Sequence, residues 1–146
     1  MKNKYDVLKI DNQLCFPLYA CSREVIKKYT PFLDKIGLTY TQYITMMVLW
    51  ERKEIHVKEL GQKLFLDSGT LTPVLKKLEE KRLVSRRRSK EDERNLIFAL
   101  TDEGKSLKKK AAGVPAQMAQ RLSLEPEEMT ELYRILYKIL GQVEGR

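Results

Sequence analysis

Cysteine and histidine are nearly absent: Cys15, Cys21 and His56 are all that 146 residues contain. Two thiols cannot build the disulfide scaffold of a small secreted domain, and no Cys/His cluster has metal-site spacing, so neither a metal nor a cofactor is expected. In a helix the two cysteines would lie about 9 Å apart along the axis and face different directions, too far apart to bridge each other. Long apolar runs are missing too, since nothing approaches the roughly 18 residues of a spanning helix. The N-terminal MKNKYDVLKIDNQ has neither the apolar core nor the small-residue cleavage site of a signal peptide. The expectation is a cytoplasmic protein with no membrane role, its cysteines starting as thiols. No βαβ pattern would seat a cysteine on a thioredoxin-like scaffold and His56 is no evident base, so a thiol peroxidase is disfavoured and no enzyme is expected. No internal repeat or low-complexity linker suggests a second domain.

What is present is positive charge. Lys and Arg number 28 against 20 Asp and Glu, for a net +8, with 42% apolar residues, enough for one globular domain over 1–146. From Ser68 to Lys90 there are eight Lys or Arg against two Glu, a local net of +6. A basic surface of this kind points to an anionic partner, with nucleic acid preferred over a membrane.

The basic stretch has a readable architecture. Leu71, Val74, Leu75 and Leu78 recur at helical spacing and make one core-facing stripe. The opposite side carries Gly69, Thr72, Pro73, Lys76 and Glu80, flanked by Thr70 and Lys77, with Asp67 or Ser68 placed to cap. Pro73 means either that the helix starts later than Ser68 or that its first turns lack one backbone bond. After Arg82 the period changes to two on both sides of a polar turn, Ser89 to Arg94, which predicts a hairpin with Leu96, Phe98 and Leu100 on its second strand. A helix followed by a basic ribbon suits insertion in the major groove of double-stranded DNA beside phosphate clamping, the ribbon tip entering the minor groove. The candidate contacts are Ser68, Thr70, Thr72, Lys76 and Lys77 on the helix and Arg86 and Arg88 on the ribbon. Their chemistry leaves open which read bases and which grip phosphate. A merely solvated charged hairpin is the competing reading.

Asp92-Glu93-Arg94, then Leu100-Thr101 and Gly104, resembles the D-x-R…L-T-x-x-G signature of the MarR family of winged-helix repressors. The resemblance implies that Arg94 sits at the wing tip and reaches the minor groove, and that Asp92 braces the wing through a salt bridge.

Around this unit, residues 1 to 10 read as a polar arm. Asp11 or Asn12 can cap a helix that Pro17 disturbs near its start and that ends by Gly37. Thr39 and Gln42 form a candidate capping box for a helix whose Tyr43, Met46, Met47 and Trp50 share an inward face. Ile55-His56-Val57 suits a short third strand with His56 structural, and a short helix from about Lys58 to Leu64 completes a helix-turn-helix. Thr101 opens a further helix that Gly113 and Pro115 bend. Ser123, Glu125 and Pro126 then open a last one, with a stripe of Met129, Leu132, Tyr133, Leu136, Tyr137, Leu140 and Val143. The fold class is therefore mainly α with a small β wing. About 40–104 form a winged helix-turn-helix, and helices at about 8–37 and 102–144 carry apolar faces beyond what that unit can cover. An isologous homodimer on a pseudo-palindromic operator uses those faces, and an intramolecular bundle is the alternative.

Near a helix N-terminus the dipole favours a thiolate at Cys15, although on chemistry alone a small buried apolar residue is the more ordinary role. Gln13-Leu14-Cys15-Phe16 with Tyr29 and Tyr40, together with the run from Leu66 to Pro73, is similar to the organic hydroperoxide repressors, OhrR and its staphylococcal relatives, within the MarR family. The resemblance implies a redox-sensing transcriptional repressor in which Tyr29 and Tyr40 of the other subunit hydrogen-bond Cys15, with Tyr19 as a third neighbour. Oxidation by an organic hydroperoxide gives a sulfenic acid, a low-molecular-weight thiol caps it, and the dimer leaves DNA. No cysteine follows Cys21, which matches the one-cysteine subtype. Cys21 is then a bystander or a second oxidisable thiol. A MarR-type repressor induced by a small phenolic or apolar ligand, and a sequence-tolerant chromatin protein, remain alternatives.

Overall fold

Residues 3–142 are described by a computed structural model in which the order is α1 (Cys15–Asp34), α2 (Tyr40–Arg52), β1 (Glu54–His56), α3 (Val57–Leu64), α4 (Ser68–Glu80), β2 (Val84–Arg88), β3 (Leu96–Leu100), α5 (Asp102–Ala111), α6 (Val114–Leu122) and α7 (Pro126–Leu140). This is the expected winged helix, mainly α with a three-stranded antiparallel sheet ordered β1-β3-β2. Val143 and the end of the 102–144 region lie outside the described residues. Among the described residues, no helix is long and apolar enough to cross a membrane.

Helix starts follow side-chain capping chemistry where it was expected, with one exception. Thr39 Oγ1 accepts from the Gln42 amide at 3.3 Å, and Gln42 Oε1 accepts from the Thr39 amide at 3.1 Å, completing the capping box of α2. Asp67, not Ser68, caps α4 by accepting from the Thr70 amide at 2.7 Å. The helix begins at Ser68 and runs through Pro73, so the Gly69 carbonyl forgoes its usual partner four residues on. The exception is α1. Neither Asp11 nor Asn12 caps it, because both lie in a 3-10 turn (Ile10–Asn12), and Leu14 precedes the helix without a side-chain cap. Asn12 and Gln13 instead donate to backbone oxygens of Asp6, Val7 and Lys9 at 2.7–2.8 Å, folding the supposed polar arm into two 3-10 turns. Pro17 is the third residue of α1, where the missing N–H would have no helical partner anyway, so Cys15 opens the helix itself.

The core sits under the winged helix, where Met46, Leu49, Leu60, Leu71, Leu75 and Leu78 are fully buried. The inward face of α2 is rotated from the expected one: Gln42, Thr45, Met46 and Leu49 form its centre, and Met47 is exposed. Two polar residues can lie inside because their groups are satisfied, Gln42 by the capping box and Thr45 by donating to the Thr41 carbonyl at 2.7 Å. A pattern drawn from apolar residues alone cannot see that face. The third strand begins one residue earlier than expected, at Glu54, and Val57 already belongs to α3. The bend at Gly113 is a full break between α5 and α6, and Ser123 ends α6 in the left-handed region (φ 52°) instead of opening α7, which Glu125 caps.

The terminal helices behave differently from the core. Of the 20 residues of α1 only Leu33 is buried, and α7 buries none. Leu18, Tyr19 and Ile26 on α1 and Leu132, Tyr133, Tyr137 and Ile139 on α7 are exposed in the protomer, as are Tyr5, Val7, Leu8 and Ile10 of the N-terminal turns. Within the protomer α1 packs on α6 and α2 through Leu33 and the half-buried Val25, Tyr29 and Phe32, which leaves these other faces without intramolecular cover among the described residues.

Candidate DNA interface and thiol site

The face of α4 opposite its buried leucines presents Ser68, Thr70, Thr72, Lys76 and Lys77 to solvent, as expected for a reading helix. Thr72 Oγ1 donates to the Ser68 carbonyl at 2.7 Å, so its methyl and its two lone pairs are what it offers outward. Between the start of α3, the start of α4 and the base of the wing lies an open cleft of about 1130 Å³, lined among others by His56, Lys58, Ser68, Thr72 and Arg94. A recognition helix and a wing that enter adjacent grooves must straddle the sugar-phosphate strand between them, and this cleft has the place and breadth for it. His56 and Lys58 carry no sequence signal for this role beyond their adjacency to the strand-helix junction.

At the wing tip the Arg94 side chain is 90% exposed and is held by Asp92 through two contacts of 3.1 Å, Nε to Oδ1 and Nη2 to Oδ2, while the Arg94 amide donates to the same Oδ1 at 3.0 Å. This is the brace the motif implied. The Arg94 guanidinium holds the Asp92 carboxyl below the usual carboxylate range, so the fork stays charged at neutral pH. Arg88 donates to the Glu93 carbonyl at 2.8 Å and the Ser89 amide to the Asn95 carbonyl at 2.8 Å, closing the turn.

The local +6 is softened by the fold. Arg86 pairs with Glu79 at 3.2 Å, Arg87 with Glu54 at 2.9 Å and Lys77 with Glu80 at 3.4 Å. All three are exposed pairs of the kind worth about 0–1 kcal/mol, weak enough to open when a phosphate offers itself. Lys76 is exposed and has no ion pair among the described residues.

The second site is the thiol with its tyrosines. Tyr29 from α1 and Tyr40 at the start of α2 have ring centroids 4.9 Å apart, and Tyr43, which sequence reading assigned only to the core, completes a trio at 5.9 and 6.3 Å. Its signal was the spacing from Tyr40, three residues along one helix. Burial, then the neighbouring phenols, pushes Tyr43 up to about 12, and burial likewise raises Tyr29 and Tyr40, so all three keep their O–H donors at neutral pH. Cys15 is exposed at the opposite end of α1. Fourteen residues of helix separate it from Tyr29, about 21 Å, so one protomer does not bring them together. Tyr19, one turn from Cys15, is exposed, with the Arg23 guanidinium 5.6 Å from its ring centroid, apart from the trio.

Comparison with known proteins adds three findings. Residues 27–111 match the family described as transcriptional regulator SarA/Rot. The organic hydroperoxide resistance transcriptional regulator of Bacillus subtilis (strain 168) is 46% identical over 140 residues, 96% of this chain and 95% of that one. Among solved structures, reduced AbfR bound to DNA superposes with a TM-score of 0.78 at 33% identity, covering 95% of this chain and 97% of the other. A mutant of E. coli MarR complexed with operator DNA shares the fold, with a TM-score of 0.81 at 22% identity over 95% of this chain and 99% of that one.

Proposed function

The chain belongs to the MarR-type winged-helix transcriptional regulators, with SarA/Rot proteins and an organic hydroperoxide resistance regulator among its relatives, and from that premise we propose a thiol-switched repressor that a hydroperoxide releases from DNA. The observation that carries the reading is the separation of Cys15 from Tyr29 and Tyr40 along a helix whose outer face is exposed. Cys15, Ser22 and Tyr29 follow at intervals of seven, hence on one face of α1. If a second copy packs its α1 antiparallel with Ser22 at the dyad, Cys15 of each lies opposite Tyr29 of the other. The small Ser22 lets the helices approach, and the exposed Leu18 and Ile26 flank the contact. The homodimer thus supports both the apolar faces of the terminal helices and the thiol site.

Within that site the Cys15 sulfur attacks one oxygen of an organic hydroperoxide. The O–O bond breaks, the alcohol departs with a proton, and the cysteine is left as a sulfenic acid. A low-molecular-weight thiol then attacks that sulfur, expelling water and leaving a mixed disulfide. The bulk of the adduct and the loss of the tyrosine hydrogen bonds spread the helix pair, and the two copies of α4 no longer match half-sites one helical turn apart. Intact mass and operator binding, followed together as hydroperoxide and thiol are added, test this. One thiol adduct per protomer should appear in step with release, and release at unchanged mass would sink the redox reading.

That last outcome would favour a second reading, which has its own observation. A cavity of about 320 Å³ lies between α4 and the wing, with Leu75, Leu96 and Phe98 on its walls and Thr72, Lys76 and the Arg86–Glu79 pair at its polar side. It is at the low end of the size range for a small phenolic or apolar ligand.

At the DNA face, Arg94→Ala should weaken operator binding about tenfold and lower the salt slope by roughly 2 per dimer, one for each wing, with the far-ultraviolet spectrum unchanged. Unchanged affinity and slope would remove Arg94 from the interface.

A further inference from the structure

The end of α4 remote from the DNA-facing cleft is tied to the corner between α1 and α2. Lys81, which follows the last residue of α4, donates from Nζ to the carbonyl oxygen of Gly37 and, at 2.9 Å, to Oε1 of Gln42. That same Oε1 accepts from the Thr39 amide, so a single buried oxygen serves both the cap of α2 and the lysine. Gly37 (φ +69°) closes α1, with the Leu38 amide bonded back to the Leu33 carbonyl at 3.1 Å and the Gly37 amide to Asp34 at 3.2 Å. Three residues later begins Tyr40, and with it the aromatic trio. One ammonium therefore spans from the helix that carries the DNA-reading residues to the corner that carries the tyrosines. Among the described residues Lys81 has no carboxylate partner, so these two neutral oxygens are what orient it, along with the negative end of the α4 dipole.

We propose that Lys81 is a positioning residue of the switch, holding the pitch of α4 against the α1–α2 corner so that a displacement of the corner is carried to the reading helix. The inference rests on Cys15 as the sensor and on its tyrosine partners at that corner. Leverage makes the contact consequential: α4 is about 20 Å long, so a tilt of about 10° about Lys81 moves the Ser68 end by about 3 Å, enough to misplace groove contacts.

The test compares the wild type with Lys81→Met, which keeps the stem without the charge, and Lys81→Arg, which keeps a donor. Two readouts are taken: hydrogen exchange at backbone amides 37–43 with and without operator, and the loss of operator affinity on adding cumene hydroperoxide and a small thiol. In the wild type and Lys81→Arg, operator should slow exchange at the corner, and oxidation should cost affinity at least about tenfold. Lys81→Met should bind in the reduced state within about threefold of wild type, show no DNA-linked protection at 37–43, and lose most of its response to oxidation. Retention of both behaviours in Lys81→Met overturns the proposal, as does a wild type whose corner is indifferent to DNA. If DNA-linked protection depends on Lys81 while oxidation never releases the wild type, the coupling stands and the Cys15 reading is what fails.

Discussion

Cys15→Ser should remain on its operator at hydroperoxide and thiol concentrations that strip the wild type from it. Serine is close to cysteine in size and can take the same hydrogen bonds from the partner tyrosines, so the reduced-state dimer and its affinity should be preserved within about threefold. What it cannot do is accept the peroxide oxygen. If oxidation changes the fit of two reading helices at once, the coupling free energy falls in the usual 1–3 kcal/mol range or somewhat above it, an affinity change of about 5- to 150-fold that the variant should lack entirely. Cys21→Ser, by contrast, should switch like the wild type. Cys21 lies beyond Cys15 by six residues, about 120° away around the helix, and so does not share the face with Ser22 and Tyr29. If Cys15→Ser is released as readily as the wild type, Cys15 is not the sensor. If Cys21→Ser alone is resistant, the roles of the two thiols are exchanged. Fluorescence anisotropy on a pseudo-palindromic duplex at fixed salt distinguishes these outcomes, since salt alone can imitate release.

How much of this was legible in the sequence depends on the range of the interaction that decides each feature. The capping box at Thr39 and Gln42, the reading helix with its leucine stripe and the hairpin around Ser89–Arg94 are local, and each could be read from spacing. The cap of α1 failed because Asn12 and Gln13 found nearer backbone acceptors in the 3-10 turns, a competition between two local uses of the same side chains. The inward face of α2 failed at Met47 because buried Gln42 and Thr45 look polar while their hydrogen bonds are hidden inside the helix start. Lys81 could not be found at all: its acceptors are 44 and 39 residues away, and a flexible ammonium leaves no periodic trace. The proposed thiol site is a further step removed, since the residues that would complete it belong to one chain in sequence and, in the proposed dimer, to two in space.

Gly104 shows the opposite case, a motif residue whose necessity is packing, and Gly104→Ala should be among the most destabilising single substitutions in the chain. Gly104 is the third residue of α5, buried, with its amide donating to the Thr101 hydroxyl at 3.0 Å and its carbonyl accepting from the Trp50 indole at 2.8 Å. A Cβ there would stand 2.1 Å from the Leu83 carbonyl oxygen and 3.1 Å from Leu100 Cδ2. Backbone cannot rotate aside as a side chain can, so α5 would have to retreat by about 1 Å to restore van der Waals contact. The retreat strains the bonds that dock α5 onto the exit of α4, which include Thr101 Oγ1 donating to the Arg82 carbonyl at 2.7 Å and the Thr101 amide to Leu83 at 3.2 Å. Against this stands the ordinary gain of alanine over glycine in a helix, about 0.5–1 kcal/mol, which the clash should outweigh to leave a net loss of about 3 kcal/mol. For a domain of this length that is a fall in Tm of roughly 10 °C, read at equal protomer concentration because a dimer's Tm depends on it. Gly113→Ala is the matched control: its backbone is right-handed (φ −82°) and an added Cβ meets nothing within 4 Å, so its stability should stay within about 1 kcal/mol of wild type. Equal Tm values for Gly104→Ala and the wild type would show that the Leu83 turn yields to the methyl group, and the glycine of the L-T-x-x-G signature would then need a reason other than contact.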